Sequence, residues 1–239
     1  MNRGQIANVY DKASIAVRIC QKNGRIPASF GTVRLTQHLK LAAGEIAVDV
    51  GCGAGAETLE ASLAVGPTGF AYGIDISPGM LEAAENRRNL SCIRNASFLL
   101  GTAERLPLQS GVADVLFTNA QLSLCEDMQR VIAEGARALK AGGRAVHADL
   151  VRAKELQEWE WGALHRTAGC VNGSSDPGVY LDSFRRAGFC NVRIALLAPY
   201  PYEALESMAS ARGVDELKKI SRAKVEGALA AAVFTMQKA

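Results

Sequence analysis

The sequence predicts an α/β fold built on a doubly wound, largely parallel sheet, and three observations carry that prediction. Short apolar runs of strand length alternate with longer segments of helical periodicity between about residues 45 and 150. The first run ends in the glycine turn of VDVGCGAGAET, where Gly51, Gly53 and Gly55 follow Asp49. A second acid, Asp75, closes the second run twenty residues beyond Gly55. Strands separated by helices in this way run parallel, joined by right-handed crossovers.

Each element follows from its own residues. Residues 5–22 and 32–43 suit helices, divided by the breaker stretch NGRIPASFG. EIAVDV (45–50) is nearly all apolar, as in a strand buried on both faces. AETLEASLAVG reads as a helix stopped by Gly66, and FAYGID (70–75) as the next strand. SPGMLEAAENRRNL begins with Ser77 as N-cap and Pro78 in the first turn. ASFLLGTA and VADVLFTNA (112–120) are the third and fourth strands. EDMQRVIAEGARALKAGG reads as a helix with a glycine stop, and RAVHADL (144–150) as the fifth strand.

The rhythm then changes. Residues 151–178 are rich in glycine and serine and are expected to form a lid-like insertion without regular structure. PGVYLDSFRRAGF is an amphipathic helix, NVRIALLAP a sixth strand and ALAAAVFTMQKA a terminal strand behind a polar helical stretch at about 203–226. The expected organisation is one domain over 1–239. It comprises a helical cover at 1–43, a ligand-binding core at 44–150, the insertion at 151–178 and a completion of the sheet at 179–239.

Composition excludes several classes of partner. A net charge of +3 without a basic cluster argues against nucleic acid and anionic membranes. No apolar run reaches membrane-spanning length, and the N-terminus lacks the apolar core of a signal peptide. The six cysteines contain no C-x-x-C pair and read as reduced thiols, so a cytoplasmic location is expected. Nothing in the composition sets the oligomeric state.

Ligands of a doubly wound sheet lie beyond the carboxyl ends of its strands. Those ends are Asp49 to Gly55, Asp75, Thr102 to Glu104, Asn119 to Gln121 and Asp149 to Val151. A glycine turn into a helix N-terminus, followed by an acid for ribose hydroxyls, serves dinucleotides and S-adenosylmethionine alike. Two details separate them. The third glycine comes one residue earlier than in G-x-G-x-x-G, leaving Ala56 at that place. Asp49 would repel a pyrophosphate and attract the cationic aminopropyl end of S-adenosylmethionine.

VDVGCGAGAET, AYGIDISPGML, GTAERLPL, ADVLFTNAQLSL and RALKAGGRAVHADL, in this order, resemble the class I S-adenosylmethionine-dependent methyltransferases. The resemblance implies a Rossmann-like, seven-stranded sheet, six strands parallel and the last antiparallel. It also implies S-adenosyl-L-methionine as cofactor and a small-molecule acceptor. Asp49, Gly51, Gly53 and Gly55 match the turn around the methionine moiety. Asp75 matches the ribose acid, and Ile76 lies against the adenine. Thr102, Ala103 and Glu104 match the segment capping the adenine, with Thr102 where the family usually carries Asp. Asn119 matches the end of strand four, beside the transferable methyl group.

The segment WGALHRTAGCVNGSSDPGVYLDSFRRAGFCNVRI further resembles the tail of arsenite methyltransferases. That likeness implies Cys170 as a thiolate for arsenic and makes it the one candidate for a catalytic role, with Cys125 as a second sulfur and Cys20 in reserve. Ala120 stands where that subgroup carries a strand-four cysteine. An apolar, quinone-like acceptor is the alternative, as is a non-catalytic module that keeps the cofactor. No resident metal is expected. His147 and Cys52 read as packing residues, and Asp149 reads equally as a cap or a catalytic acid. Trp159 and Trp161 are expected on opposite helix faces or in a loop, with one of them lining the acceptor cavity or, as is commoner, packing in the core.

Overall fold

A computed structural model describes Gly4, Asn8 and residues 33–167, 175–213 and 215–239. Its seven strands form one sheet: β1 (Ile46–Val50), β2 (Phe70–Asp75), β3 (Ala96–Leu100), β4 (Ala113–Asn119), β5 (Leu139–Arg152), β6 (Phe189–Pro199) and β7 (Leu229–Lys238). The order is β3-β2-β1-β4-β5-β7-β6. β7 alone runs against its neighbours β5 and β6, as the family likeness implies.

The order reverses at β1, which pairs with β2 on one side and β4 on the other. That switch point is where open α/β sheets place their ligands. β1 can occupy the centre because IAVDV is apolar on both faces: Ala47, Val48 and Val50 are buried.

Helices cover both faces. The short α1 (Thr36–Leu39) and α2 (Ala56–Val65) pack Leu35, Leu39, Leu59 and Val65 against Phe117 and Val146. α3 (Pro78–Leu90) lies along β2 and β3. Ser77 caps α3, its hydroxyl accepting from the Met80 amide, with Pro78 next, as the sequence predicts. On the opposite face α4 (Met128–Ala138) and α6 (Pro177–Arg186) bury Val131, Ile132, Tyr180 and Phe184 against Phe234. α5 (Glu158–Thr167) and α7 (Tyr202–Arg212) enclose a further cluster of Trp161, Leu164 and Leu205. The last connection continues through a 3₁₀ turn at Glu216–Lys219 and the short α8 (Arg222–Val225).

Three local expectations are corrected. The helix predicted at 32–43 is a single turn, because Lys40 turns left-handed with φ +49°. The helix predicted to run through ALKAGG ends at Ala138, where Leu139 joins the sheet beside Ala113. Residues 140–143 form a bulge there, held by an ion pair of 2.7 Å between Lys140 and Asp114. Third, the segment expected to lack regular structure contains α5, because Trp161 and Leu164 supply an apolar stripe that propensity counting misses. The helix expected at 5–22 lies outside the described residues, apart from Asn8. Among the described residues no helix is long and apolar enough to cross a membrane.

Candidate active site

The glycine turn joins β1 to α2, and its backbone explains its glycines. Gly51, Gly53 and Gly55 have φ of +79°, +51° and +75°, values that favour residues without a Cβ. Space separates their roles. A Cβ on Gly55 would lie 2.5 Å from the Phe98 ring and 2.8 Å from the Ala84 Cβ, so this glycine lets α2 approach the sheet. A Cβ on Gly53 would meet nothing within 4 Å and would project into open space. Gln121, at the end of β4, brings its amide oxygen within 2.2 Å of where a Gly51 Cβ would stand.

Asp75 ties this turn to the next. Its carboxylate accepts from the Gly53 amide at 2.8 Å and from the Ser77 amide at 2.9 Å. One acid thus sets both the phosphate-type turn and the start of α3. Ile76 beside it is half-buried.

Asp49 is buried and accepts from the Thr58 hydroxyl at 2.6 Å. Burial, then the negative charges of Glu57 and Asp75, hold its carboxyl well above the usual range. Glu57, in the first turn of α2, is also raised, chiefly by burial. Its carboxylate accepts from the Leu35 amide at 2.9 Å and from the Asn119 side-chain amide at 3.0 Å. The same Asn119 nitrogen donates to the Val33 carbonyl at 2.7 Å. Asn119 and Glu57 together therefore fasten the segment entering α1 over the turn. Sequence reasoning missed Glu57; the one signal available was an acid placed at a helix N-terminus that the fold buries.

Thr102 and Ala103 lie in the turn after β3, where the Thr102 carbonyl accepts from the Arg105 amide at 3.1 Å. Glu104, which alone would read as a surface residue, is buried beside Ala103. Cys52 is half-buried in the glycine turn, and burial with Asp49 and Asp75 nearby pushes its thiol up, so it remains protonated and unreactive.

Strand five supplies structural acids and bases. Asp149, fully buried, accepts from the Ser123 amide at 2.9 Å and the Ser123 hydroxyl at 2.8 Å, capping the 3₁₀ turn at Leu122–Leu124. His147 is a core histidine, bonded through Nδ1 to the Thr118 hydroxyl at 2.5 Å and stacked on Phe234. A cavity of about 40 Å³ behind them is apolar and too small for an organic acceptor. Ala120 adopts φ +57°, an uncommon conformation for a residue with a Cβ, directly after Asn119.

The cysteines do not assemble in the described part of the chain. Cys125 donates its thiol hydrogen to the Gln121 carbonyl at 3.2 Å. Cys170 and Cys20 lie outside the described residues. Among the described residues no group of three His, Cys, Asp or Glu side chains could hold a metal ion. Trp161 is buried and Trp159 is 52% exposed, so the two occupy opposite faces of α5.

The chain's relatives agree with this geometry. A family model described as a methyltransferase domain matches residues 41–188. An arsenite methyltransferase of Halobacterium salinarum is 31% identical over 155 residues, covering 65% of this chain and 40% of that protein. A demethylmenaquinone methyltransferase of Lactococcus lactis is 32% identical over 170 residues, covering 61% of this chain and 66% of that protein. The chain therefore spans less than two thirds of either relative. A geranyl diphosphate methyltransferase, solved with GPP and sinefungin, superposes with a TM-score of 0.74 over 99% of both chains at 18% identity. The sheet with its reversed last strand, the glycine turn and the matched model together place this chain in the methyltransferase domain family.

Proposed function

We propose that the chain transfers a methyl group from S-adenosylmethionine to a small organic acceptor. The observation that supports this most is the convergence of three acidic side chains on the glycine turn: Asp49 bonded to Thr58, Glu57 in the first turn of α2 and Asp75 on the Gly53 amide. A pyrophosphate there would face repulsion, whereas a sulfonium and an ammonium would be attracted. The residues fit such a cofactor in a second respect. Gly53 leaves open the space that any side chain would fill, beside Asp75, the acid that closes β2.

When bound, S-adenosylmethionine supplies an electrophilic methyl carbon for an in-line displacement. The protein's share is positioning and exclusion of water. Asp75 orients the ribose, and Ile76, Ala103 and Glu104 flank the adenine. Asp49 holds the amino-acid end. Asn119, anchored by Glu57, closes the N-terminal segment over the reacting atoms.

A second reading, a thiol-bound arsenic acceptor, draws on the likeness to the Halobacterium protein. It would require Cys170 as a ligand together with Cys125 or Cys20. An acceptor screen with labelled methyl donor decides between the two. Quinone-like and other organic acceptors are expected to be methylated, and arsenite with added thiol is not. Arsenite turnover abolished by Cys170→Ala, with cofactor binding intact, would reverse the assignment.

Cofactor binding is expected to release protons. The apo protein favours protonated Asp49, so its stability falls as pH rises from the ordinary carboxylate value through the raised one. A cationic ligand draws that value down again, and the proton leaves. Calorimetric titrations across the acidic to neutral range, in buffers of different ionisation enthalpy, should show net release with S-adenosylmethionine over part of that range. Binding without proton exchange would place the cation elsewhere.

A further inference from the structure

β5 extends past its neighbour. Asn119, the last residue of β4, pairs with Ala148, and β5 continues to Arg152 alongside β7. Side chains alternate along a strand, so Arg152 lies on the same face as Ala148 and Asn119. It stands about 13 Å beyond them at some 3.3 Å per residue, above the carboxyl edge of the sheet.

The Arg152 guanidinium stacks on Trp161, with Cζ 4.6 Å from the ring centroid. Its Nε is buried and has no hydrogen-bond partner among the described residues. Glu160 of α5 and Glu216 of the adjoining 3₁₀ turn are both paired with other groups. Glu160 is bound by Lys224 at 2.7 Å and by the Gln157 amide at 2.8 Å, and Glu216 lies 3.5 Å from Arg166. His165, whose pKa is lowered by burial and then by Arg152 and Arg166, also has a buried Nε2 without a partner among the described residues. A stacked guanidinium whose Nε lacks a partner among the described residues has N–H groups suited to a carboxylate or a phosphoryl group. Apolar side chains are close at hand: Val33, Leu156 and Tyr202, partly buried, pack against the cluster that contains Trp161.

We infer that Arg152, stacked on Trp161 and assisted by His165, binds an oxyanion carried by the methyl acceptor. The acceptor is then an amphiphilic molecule, with an apolar body and a carboxylate or phosphoryl group remote from the methylated atom. This assignment rests on the methyl-transfer reading of the site and narrows its substrate class.

The chain has two tryptophans, so a Trp159→Phe background isolates the emission of Trp161. In that background, saturated with S-adenosylhomocysteine, octanoate, octyl phosphate and octanol are titrated in turn. At least one anion should shift Trp161 emission saturably, at a concentration tenfold or more below octanol. The tighter of the two anions identifies the headgroup. Arg152→Gln should weaken the anion at least tenfold while leaving octanol and S-adenosylhomocysteine affinities unchanged, and Arg152→Lys should restore part of the loss. Equal binding of anions and octanol, or indifference to Arg152→Gln, would overturn the assignment. Failure to bind S-adenosylhomocysteine would instead overturn the methyl-transfer reading, and the same titrations on the free protein would still decide the role of Arg152.

Discussion

Gly55→Ala should unfold the protein about 10 °C earlier than wild type, whereas Gly53→Ala, two residues away, should shift the transition by only about 4 °C, from backbone strain alone. Both glycines have positive φ, so either alanine carries roughly 1–2 kcal/mol of backbone strain. At Gly55 the added methyl would also lie 2.5 Å from the Phe98 ring and 2.8 Å from Ala84. Overpacking of that kind costs about 1–3 kcal/mol, and a chain of this size shifts by roughly 2–4 °C per kcal/mol. At Gly53 the methyl would meet no protein atom within 4 Å. Its effect should instead fall on the ligand, with S-adenosylhomocysteine affinity reduced at least tenfold, about 1.4 kcal/mol. Thermal unfolding and calorimetry of the two variants test the division of labour. Equal behaviour of the pair would mean that the open space at Gly53 is not the cofactor's.

Asp75→Ala should weaken S-adenosylhomocysteine binding by about 1–3 kcal/mol, a loss of roughly 10- to 100-fold, through unpaired ribose hydroxyls. It should also lower stability by a similar amount, because the buried Ser77 amide and the Gly53 amide lose their acceptor. Asp75→Asn retains one carbonyl oxygen and should recover part of both losses. NAD should bind neither wild type nor variant. An Asp75→Ala protein with unchanged affinity would show that the carboxylate acts only on the backbone.

Much of this site was legible because its signals are local. The three glycines, the acid at the end of β2 and the Ser77 cap depend on residues a few positions apart and on one strand-turn-helix unit. The misreadings were local too. ALKAGG has the form of a helix end, yet pairing with Ala113 drew Leu139 into the sheet. The glycine and serine of the 151–178 segment obscured the short apolar stripe of α5.

The amino-acid sequence by itself determined that strands and helices alternate, that β1 is buried on both faces and that a glycine turn follows Asp49 while Asp75 closes the next strand. Only the tertiary structure decided that Glu57 meets Asn119, 62 positions away, and that the two fasten Val33 and Leu35 at the entry to α1. It alone stacked Arg152 on Trp161, buried Glu104 and brought Asp149 to accept from the Ser123 amide and hydroxyl. The reason is physical. Periodicity records which face of an element is apolar, whereas contacts between distant polar groups depend on strand order, register and how far each strand overruns its neighbour, and no local pattern encodes these.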